Sequence, residues 1–383
     1  MKKSLTFVAI ALIFVILAAC TPSTTPAPAT ITPPKTTPGQ ASTPTSNLPP
    51  PTSQEDAAWQ KVIEAAKKEG SVTMYSFNFG GDVGLAVNKA FKDKYGIKLD
   101  IITGRGAEQL ERLKAERRMG TMVADLMDGS RVHAANVKKD GLTVNLADLP
   151  FFKDKQVWTL NPFVLDEGGH VLAFSYFVYA PFINPTVVKA GEQPKSYKEL
   201  LDPKWKGKMM LPDPNVSGGA YEAFVAFLNA KILDMEFIKA LGKQDIKFTI
   251  GDDDSIQRLA RGEYPLSIRS AAVIAANYAR EGAPIKAIPM AEGHVGSALA
   301  ATAIKDGPHP NAVKLFVNWL MSQEGQTVFG KAKGASSPRN DVQDFMPEAV
   351  RVPGAKVIMP TQKDTDDAAD MFRDKVFVNL WKK

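Results

Sequence analysis

The feature that most restricts the fold of this chain is a repeated alternation of helical and strand patterns between residues 59 and 130. In WQKVIEAAKKEG (59–70) apolar residues recur at helical spacing up to a terminal glycine, and SVTMYSF then has the pattern of a buried strand. The succession repeats, with helices in DVGLAVNKAFKDKYG and GAEQLERLKAERRMG and strands in IKLDIIT and VADLMDG. Such units predict an α/β fold with a parallel sheet covered on both faces. Because ligands on these sheets bind at the carboxyl ends of the strands, we expect loops 76–81, 104–107 and 128–131 to line one cleft.

The amino terminus has the pattern of an exported lipoprotein. Lys2 and Lys3 precede an apolar run over residues 5–19, which is short for a membrane-spanning helix and typical of a signal peptide. The sequence Leu-Ala-Ala-Cys at 17–20 resembles a bacterial lipobox, in which cleavage leaves the cysteine as a lipid-carrying first residue. Cys20 is the only cysteine, so no disulfide can form within the chain. We therefore predict a signal peptide at 1–19 and a lipid anchor on Cys20.

Residues 20–53 predict a tether. After Cys20 this segment is almost wholly Thr, Pro, Ser and Ala, with Lys35 its only charge. It has too few apolar residues to form a core, and its prolines favour extended conformations. We expect it to hold a folded body in the cell envelope, outside the cytoplasm, with the lipid as the membrane anchor.

The remaining residues, 54–383, have the length of a globular body and a mild basic excess. These are about 330 residues, enough for two lobes. Without Lys2 and Lys3 the chain has 45 basic residues against 41 acidic ones, a net charge of +4 without clustering, which argues against a nucleic-acid partner.

No motif indicates a catalytic, metal or cofactor site. The four histidines stand far apart, and H-E-x-x-H, G-x-S-x-G and the phosphate-loop pattern are absent. The acidic run GDDDS (251–255) lacks the glutamate of a calcium loop and is better explained as a solvated helix start.

A Ser-Gly-Gly turn at 217–219 marks a possible anion site. Prolines at 212 and 214 end the preceding strand-like segment, and helical spacing follows through Leu228. Ser217 can cap the helix, and the two glycines bring backbone N–H groups to the surface. The alternative is an ordinary helix cap without a ligand.

Six further blocks resemble one family when they are taken in order. They are WQKVIEAAKKEGSVTMYS, DPKWKGKMMLPDPNVSGGAY, SIQRLARGEYPLSI, EGAPIKAIPMAEG, HPNAVKLFVNWLMSQEGQ and SSPRNDV. In this order they resemble the bacterial extracellular solute-binding proteins of ABC importers, and within them the ferric-iron-binding subfamily of the type 2 periplasmic-binding fold. The resemblance covers residues 59 to about 342.

The resemblance implies two α/β lobes, each a sheet flanked by helices, joined by two hinge crossovers and closing on a ligand. The first lobe would comprise residues 54–160 with a return segment at 288–340. The second would comprise 161–287 with the carboxyl-terminal segment 341–383 packed on it. It also implies a monomer without enzymatic activity that delivers its ligand to an ABC permease.

The iron site of this subfamily is not carried over. Its two adjacent tyrosines align with Ala272 and Val273, and its histidine and glutamate positions align with Phe79 and Ser130. None of these supplies a hard oxygen ligand comparable to those of the relatives. The anion-binding turn does match, at Ser217, Gly218, Gly219 and Ala220, so we expect it to hold an acidic group of the ligand itself.

Arginines and aromatic residues complete the predicted site. Arg105, Arg131 and Arg269 are candidates for a bidentate contact with the anion, and Arg269 is favoured because its segment otherwise has a buried-strand pattern. Asn78 lies in the first loop, and Tyr75, Phe77, Phe79 and Tyr176 are expected to enclose an apolar or aromatic body; packing in the core is the alternative for each aromatic. The predicted ligand is a small organic anion such as a carboxylate or phosphonate. Ferric iron held by other oxygen ligands and a cell-surface hydrolase remain alternatives, as does a sensory role.

Overall fold

The computed structural model describes residues 54–158, 166 and 168–381 of the 383-residue chain. The predicted signal peptide, the lipid anchor at Cys20, the tether and the predicted lobe boundary at 160/161 lie outside the described residues. Among the residues that are described, no helix combines the length and the apolar character needed to cross a membrane.

The described residues form an α/β structure, as the sequence predicts. The strands are β1 (Ser71–Ser76), β2 (Lys98–Thr103), β3 (Leu126–Ser130), β4 (Leu172–Ile183), β5 (Met209–Pro212), β6 (Lys247–Thr249), β7 (Leu266–Ala271), β8 (Lys286–Ala287), β9 (His294–Ala303) and β10 (Val357–Ile358). The helices are α1 (Gln54–Glu69), α2 (Gly81–Tyr95), α3 (Gly106–Met119), α4 (Arg131–Lys139), α5 (Gly218–Asn229), α6 (Met235–Leu241), α7 (Asp252–Ala260), α8 (Ala272–Arg280), α9 (Pro310–Leu320), α10 (Gln323–Lys333), α11 (Gln362–Arg373) and α12 (Val376–Trp381).

The helix–strand units read from the sequence are present. Strand β1 pairs in parallel with β2 and with β3, and α2 and α3 connect them. Helices α2 and α3 end at Gly96 and Gly120, whose φ angles of 74° and 72° are in the left-handed region where glycine is favoured. The sequence pattern therefore gives the correct order and type of these elements.

The expectation of a parallel sheet is wrong at the centre. The strand order is β2-β1-β3-β9-β4-β7-β5-β6, with β10 paired to β9 and β8 to β4. The 12-residue strand β4 and the 10-residue strand β9 are antiparallel to each other and to their outer neighbours β7 and β3. One central strand carries the chain across the sheet and the other brings it back, so the two run in opposite directions.

The core beneath the first loop is aromatic. Phe79 is 1% exposed, and its ring lies 5.5 Å from Phe174 and 5.2 Å from Phe329. Phe79 therefore packs in the core, the alternative that the sequence left open for each aromatic residue, which corrects its place among the predicted site residues.

Helix α11, in the carboxyl-terminal segment, packs on two elements. It lies against α5, where the Tyr221 ring is 5.6 Å from that of Phe372. It also lies against α4, where Lys139 Nζ is 2.6 Å from Asp370 Oδ1 and the Phe372 ring is 5.5 Å from His133. Helix α11 thus connects an element from each half of the sheet.

Candidate functional site

A cavity lies where the carboxyl ends of β1, β2, β3, β5, β6 and β7 meet the middle of β4 and β9. The empty space between its walls, counted together with the open solvent at its mouth, is about 630 Å³. Its walls are Phe77, Asn78, Arg105, Gly106, Gly129, Ser130, His133, Phe177, Tyr179, Val216, Ser217, Gly218, Gly219, Ile250, Gly251, Asp252, Arg269, Ala271, Val273, Ile274 and Leu299. The three loops that the sequence placed on one cleft all contribute to these walls.

Five helices begin at this cavity. The residues that line it at their starts are Gly106 of α3, Ser130 before α4, Ser217 before α5, Gly251 before α7 and Ala271 before α8. The first N–H groups of a helix have no partner within the helix, and its dipole places partial positive charge at this end. Five such ends around one space favour a negatively charged group.

The start of α5 shows why glycine is needed at position 219. A Cβ atom there would lie 2.2 Å from Arg269 Nη2 and 2.3 Å from Tyr179 Oη. Ser217 occupies the N-cap position without capping the helix through its side chain, and Gly218 also lines the cavity. Ala220 is buried one residue further on and does not line it, so the predicted four-residue turn contributes three residues.

Arg269 is the most deeply buried cation on the cavity wall. Its side chain is 2% exposed, its Nη1 donates to Asp252 Oδ1 at 3.1 Å, and its guanidinium lies 3.9 Å from the centre of the Tyr179 ring. Burial acts to lower the pKa of Arg269, but Asp252, Tyr179 and Glu222 together outweigh it and the net shift is upward. Among the described residues, Nε and Nη2 of Arg269 have no hydrogen-bond acceptor.

Asp252 corrects the interpretation of the acidic run at 252–254. We expected a solvated helix start, and Asp253 is indeed exposed. Asp252, however, is 12% exposed and lines the cavity, where its Oδ1 also accepts a hydrogen bond from Ala271 N at 2.9 Å. The sequence analysis expected a ligand to neutralise Arg269. In the structure, Asp252 supplies part of that negative charge.

A second buried carboxyl group lies behind Tyr179. Glu222 Oε2 accepts hydrogen bonds from Ser297 Oγ and from Tyr179 Oη, the latter at 3.4 Å. Burial raises the pKa of Glu222, while the charge of Arg131 acts in the opposite direction. Arg131 is itself 5% exposed, its pKa is lowered by burial, and it does not line the cavity. The structure therefore places Arg131 in the interior beside Glu222.

His133 is a cavity residue that the sequence analysis did not select. Its Nδ1 lies 2.9 Å from Ser130 Oγ, and its backbone N donates to the same oxygen at 3.3 Å. Burial lowers the pKa of His133 to about 4, so the ring is neutral at pH 7. A Cβ on Gly106 would lie 2.4 Å from Nδ1, so the start of α3 fits closely against the ring. One sequence feature could have identified His133 as a site residue: it lies three residues after Ser130, in the first turn of a helix that follows a strand.

The remaining predicted residues are divided between cavity and surroundings. Phe77 is 40% exposed at the wall, and Asn78 is buried there, with its Nδ2 donating to Asp128 Oδ1 at 2.6 Å. Arg105 also lines the cavity, but its side chain is 43% exposed and pairs with Glu108 at 3.2 Å. Tyr176 does not line it; its backbone N donates to Ser336 O at 3.3 Å.

The alignment positions of the iron ligands do not form a metal site. Ala272 and Val273 begin α8, and only Val273 lines the cavity. Ser130 Oγ is engaged with His133, as described above. Within residues 54–158, 166 and 168–381, no three His, Cys, Asp or Glu side chains lie together in a way that could hold a metal ion.

Comparison with known proteins assigns the family. Residues 83–334, more than half of the chain, match the family described as bacterial extracellular solute-binding protein. A protein of Haemophilus influenzae, described as uncharacterized, is 26% identical over 255 residues, which are 63% of this chain and 70% of that protein.

Solved structures show the same fold. The periplasmic binding protein AfuA from Actinobacillus pleuropneumoniae, with fructose-6-phosphate bound, is similar with a TM-score of 0.69 and 21% identity, over 82% of this chain and 97% of AfuA. The ferric binding protein from Campylobacter jejuni is similar with a TM-score of 0.66 and 16% identity, over 81% and 98%. The two-lobed fold predicted from the sequence is confirmed. The chain therefore belongs to the bacterial extracellular solute-binding proteins of ABC transporters and has the type 2 periplasmic-binding fold.

Proposed function

We propose that this protein is a lipid-anchored receptor that captures a small organic anion in the cavity described above and delivers it to an ABC permease. One observation carries the proposal: Arg269 lies almost fully buried on the cavity wall with Nε and Nη2 lacking a protein acceptor. An unsatisfied buried donor is costly, and more so when it is charged. An oxyanion would satisfy both nitrogens through a bidentate contact.

The helix starts support the same ligand class. Five helix N-termini contribute positive potential to the cavity. The first turns of α3 and α7 also carry acidic side chains, of which Glu108 pairs with Arg105 and Asp252 with Arg269. The AfuA structure has fructose-6-phosphate bound, which makes phosphate esters a class to test alongside carboxylates, phosphonates and sulfonates.

The proposed capture mechanism is closure of two lobes around the ligand. Residues 54–160 with 288–340 would form one lobe, and 161–287 with 341–383 the other. The cavity walls come from both: α3 and α4 start in the first, and α5, α7 and α8 start in the second. Closure would bring the two sets of helix starts onto one anion, and the lipid on Cys20 would keep the receptor near its permease.

Thermal unfolding against a ligand panel tests the proposal. The panel contains carboxylates, phosphonates, phosphate esters, sulfonates and ferric citrate. A ligand at about a thousand times its Kd stabilises the folded state by roughly 4 kcal/mol, which should raise the Tm by a few degrees. Stabilisation by an organic anion and not by iron supports the proposal. Stabilisation by ferric iron alone would contradict it and favour an iron receptor with a different ligand set.

A further inference from the structure

We infer that the ligand is an oxyanion with an apolar body, such as an aryl or branched alkyl acid, and not a polyhydroxylated one such as a sugar phosphate. This inference rests on the proposed function, since it assumes that the cavity binds an organic anion. It concerns the part of the ligand beyond the acidic group.

The first argument is the state of the hydrogen-bond acceptors on the cavity wall. Both oxygens of Asp252 accept from Arg269 Nη1, at 3.1 and 3.3 Å, and one of them also accepts from Ala271 N. Ser130 Oγ accepts from the backbone N of His133 and contacts its ring nitrogen. Together with Tyr179, which is hydrogen-bonded to Glu222, these are three of the six lining side chains that can accept a hydrogen bond, and they are already engaged within the protein.

The acceptors that remain are few. Among the described wall residues, Asn78 Oδ1 has no hydrogen-bond partner, and Ser217 does not use its side chain to cap α5. The unpartnered donors are Nε and Nη2 of Arg269, and His133 Nε2 is a further unpartnered ring nitrogen. The wall thus offers donors for an anion but few acceptors for ligand hydroxyl groups.

The second argument is the composition of the rest of the wall. Eight side chains there are aliphatic or aromatic without a polar atom: Phe77, Phe177, Val216, Ile250, Ala271, Val273, Ile274 and Leu299. Phe177 packs edge-on against the ring of Tyr179, with 5.1 Å between ring centres, and so fixes the aromatic part of the wall next to the Arg269 guanidinium. An apolar body on the acid would bury surface against these side chains.

Both arguments predict that the cavity binds acids with an apolar body more tightly than polyhydroxylated acids. Each ligand hydroxyl that leaves water without finding an acceptor loses binding free energy, because a buried unpaired donor is penalised. An apolar group of similar size loses nothing of that kind and gains from burial. Phenyl phosphate and glucose 6-phosphate share the same acidic group and differ in this property, so they are suitable probes.

Isothermal titration of the full chain in mild detergent tests the inference with phenyl phosphate, glucose 6-phosphate and inorganic phosphate. We expect the Kd of phenyl phosphate to be lower than those of the other two by about tenfold or more, as burial of one ring predicts. Glucose 6-phosphate binding as tightly as phenyl phosphate overturns the inference and leaves the proposed function standing. Binding of none of the three, together with no thermal stabilisation by carboxylates or sulfonates, overturns both.

Two phenylalanine variants test whether the apolar wall causes the preference for phenyl phosphate. Phe77 and Phe248 are 40% and 37% exposed, but only Phe77 lines the cavity, so Phe248→Ala is a matched control. Phe77→Ala should weaken phenyl phosphate binding roughly three- to tenfold and leave inorganic phosphate binding unchanged, because it removes only contacts with the body of the ligand. Equal effects of Phe77→Ala on both probes, or the same loss in Phe248→Ala, would contradict the assignment of the apolar wall.

Discussion

Acidification should destabilise the folded protein through His133. The ring is 6% exposed, and burial lowers its pKa to about 4, from an ordinary value of 6.5. In the unfolded chain the ring regains its ordinary pKa. Between pH 6.5 and pH 4 the unfolded state therefore binds more protons than the folded state, and stability falls as the pH falls through this window.

The magnitude follows from the two pKa values. Proton linkage gives a loss of about 2 kcal/mol between pH 7 and pH 5, rising to about 3 kcal/mol near pH 4. Two carboxyl groups act in the opposite direction over part of this range, because burial raises the pKa of Asp128 to about 6 and raises that of Glu222. The stability of the wild-type protein alone therefore does not isolate the histidine.

Urea denaturation of the wild-type protein and of the His133→Gln variant, each at pH 7 and pH 5, isolates the contribution of His133 to the pH dependence of stability. The carboxyl groups are present in both proteins, so their contributions cancel in the difference of differences. We expect the variant to lose about 2 kcal/mol less than the wild type on acidification, whatever its stability at pH 7. Equal losses in the two proteins would refute the reasoning. His294, whose pKa is also lowered to about 4 by burial, supplies a second variant with the same expected direction.

Three further results are expected. Gly219→Ala should weaken anion binding at least about tenfold by displacing Arg269. Gly191→Ala, at an exposed position away from the cavity where a Cβ meets nothing within 4 Å, should bind as the wild type does; titration of both variants with one anion decides. Arg269→Ala should lower the affinity for the anion about a hundredfold. Arg269→Lys can keep the ion pair with Asp252 but not the bidentate contact, so its affinity should lie between those of the wild type and Arg269→Ala. Unchanged affinity in both variants would show that the guanidinium is not part of the site. Cys20→Ala should release the protein into the soluble fraction with anion binding intact, and retention in membranes would refute the lipid anchor.

The local patterns of the sequence were sufficient for much of the fold. Helical and alternating periodicities depend on neighbours a few residues apart, so they predicted the first three helix–strand units and the loops between them. The direction of β4 and β9 was not accessible in this way. Strand pairing depends on residues far apart in the chain, such as Tyr176 opposite Ala298.

The site was predicted in part, and the failures share one cause. The sequence alone determined the family blocks, the α/β class, the Ser-Gly-Gly helix start and a buried arginine at 269. Only the tertiary structure decided that Phe77 faces the cavity while Phe79 enters the core, and that Asp252, 17 residues before Arg269, is its partner. Periodicity gives the type of an element, but the surroundings of a side chain at a strand end depend on which distant elements pack there.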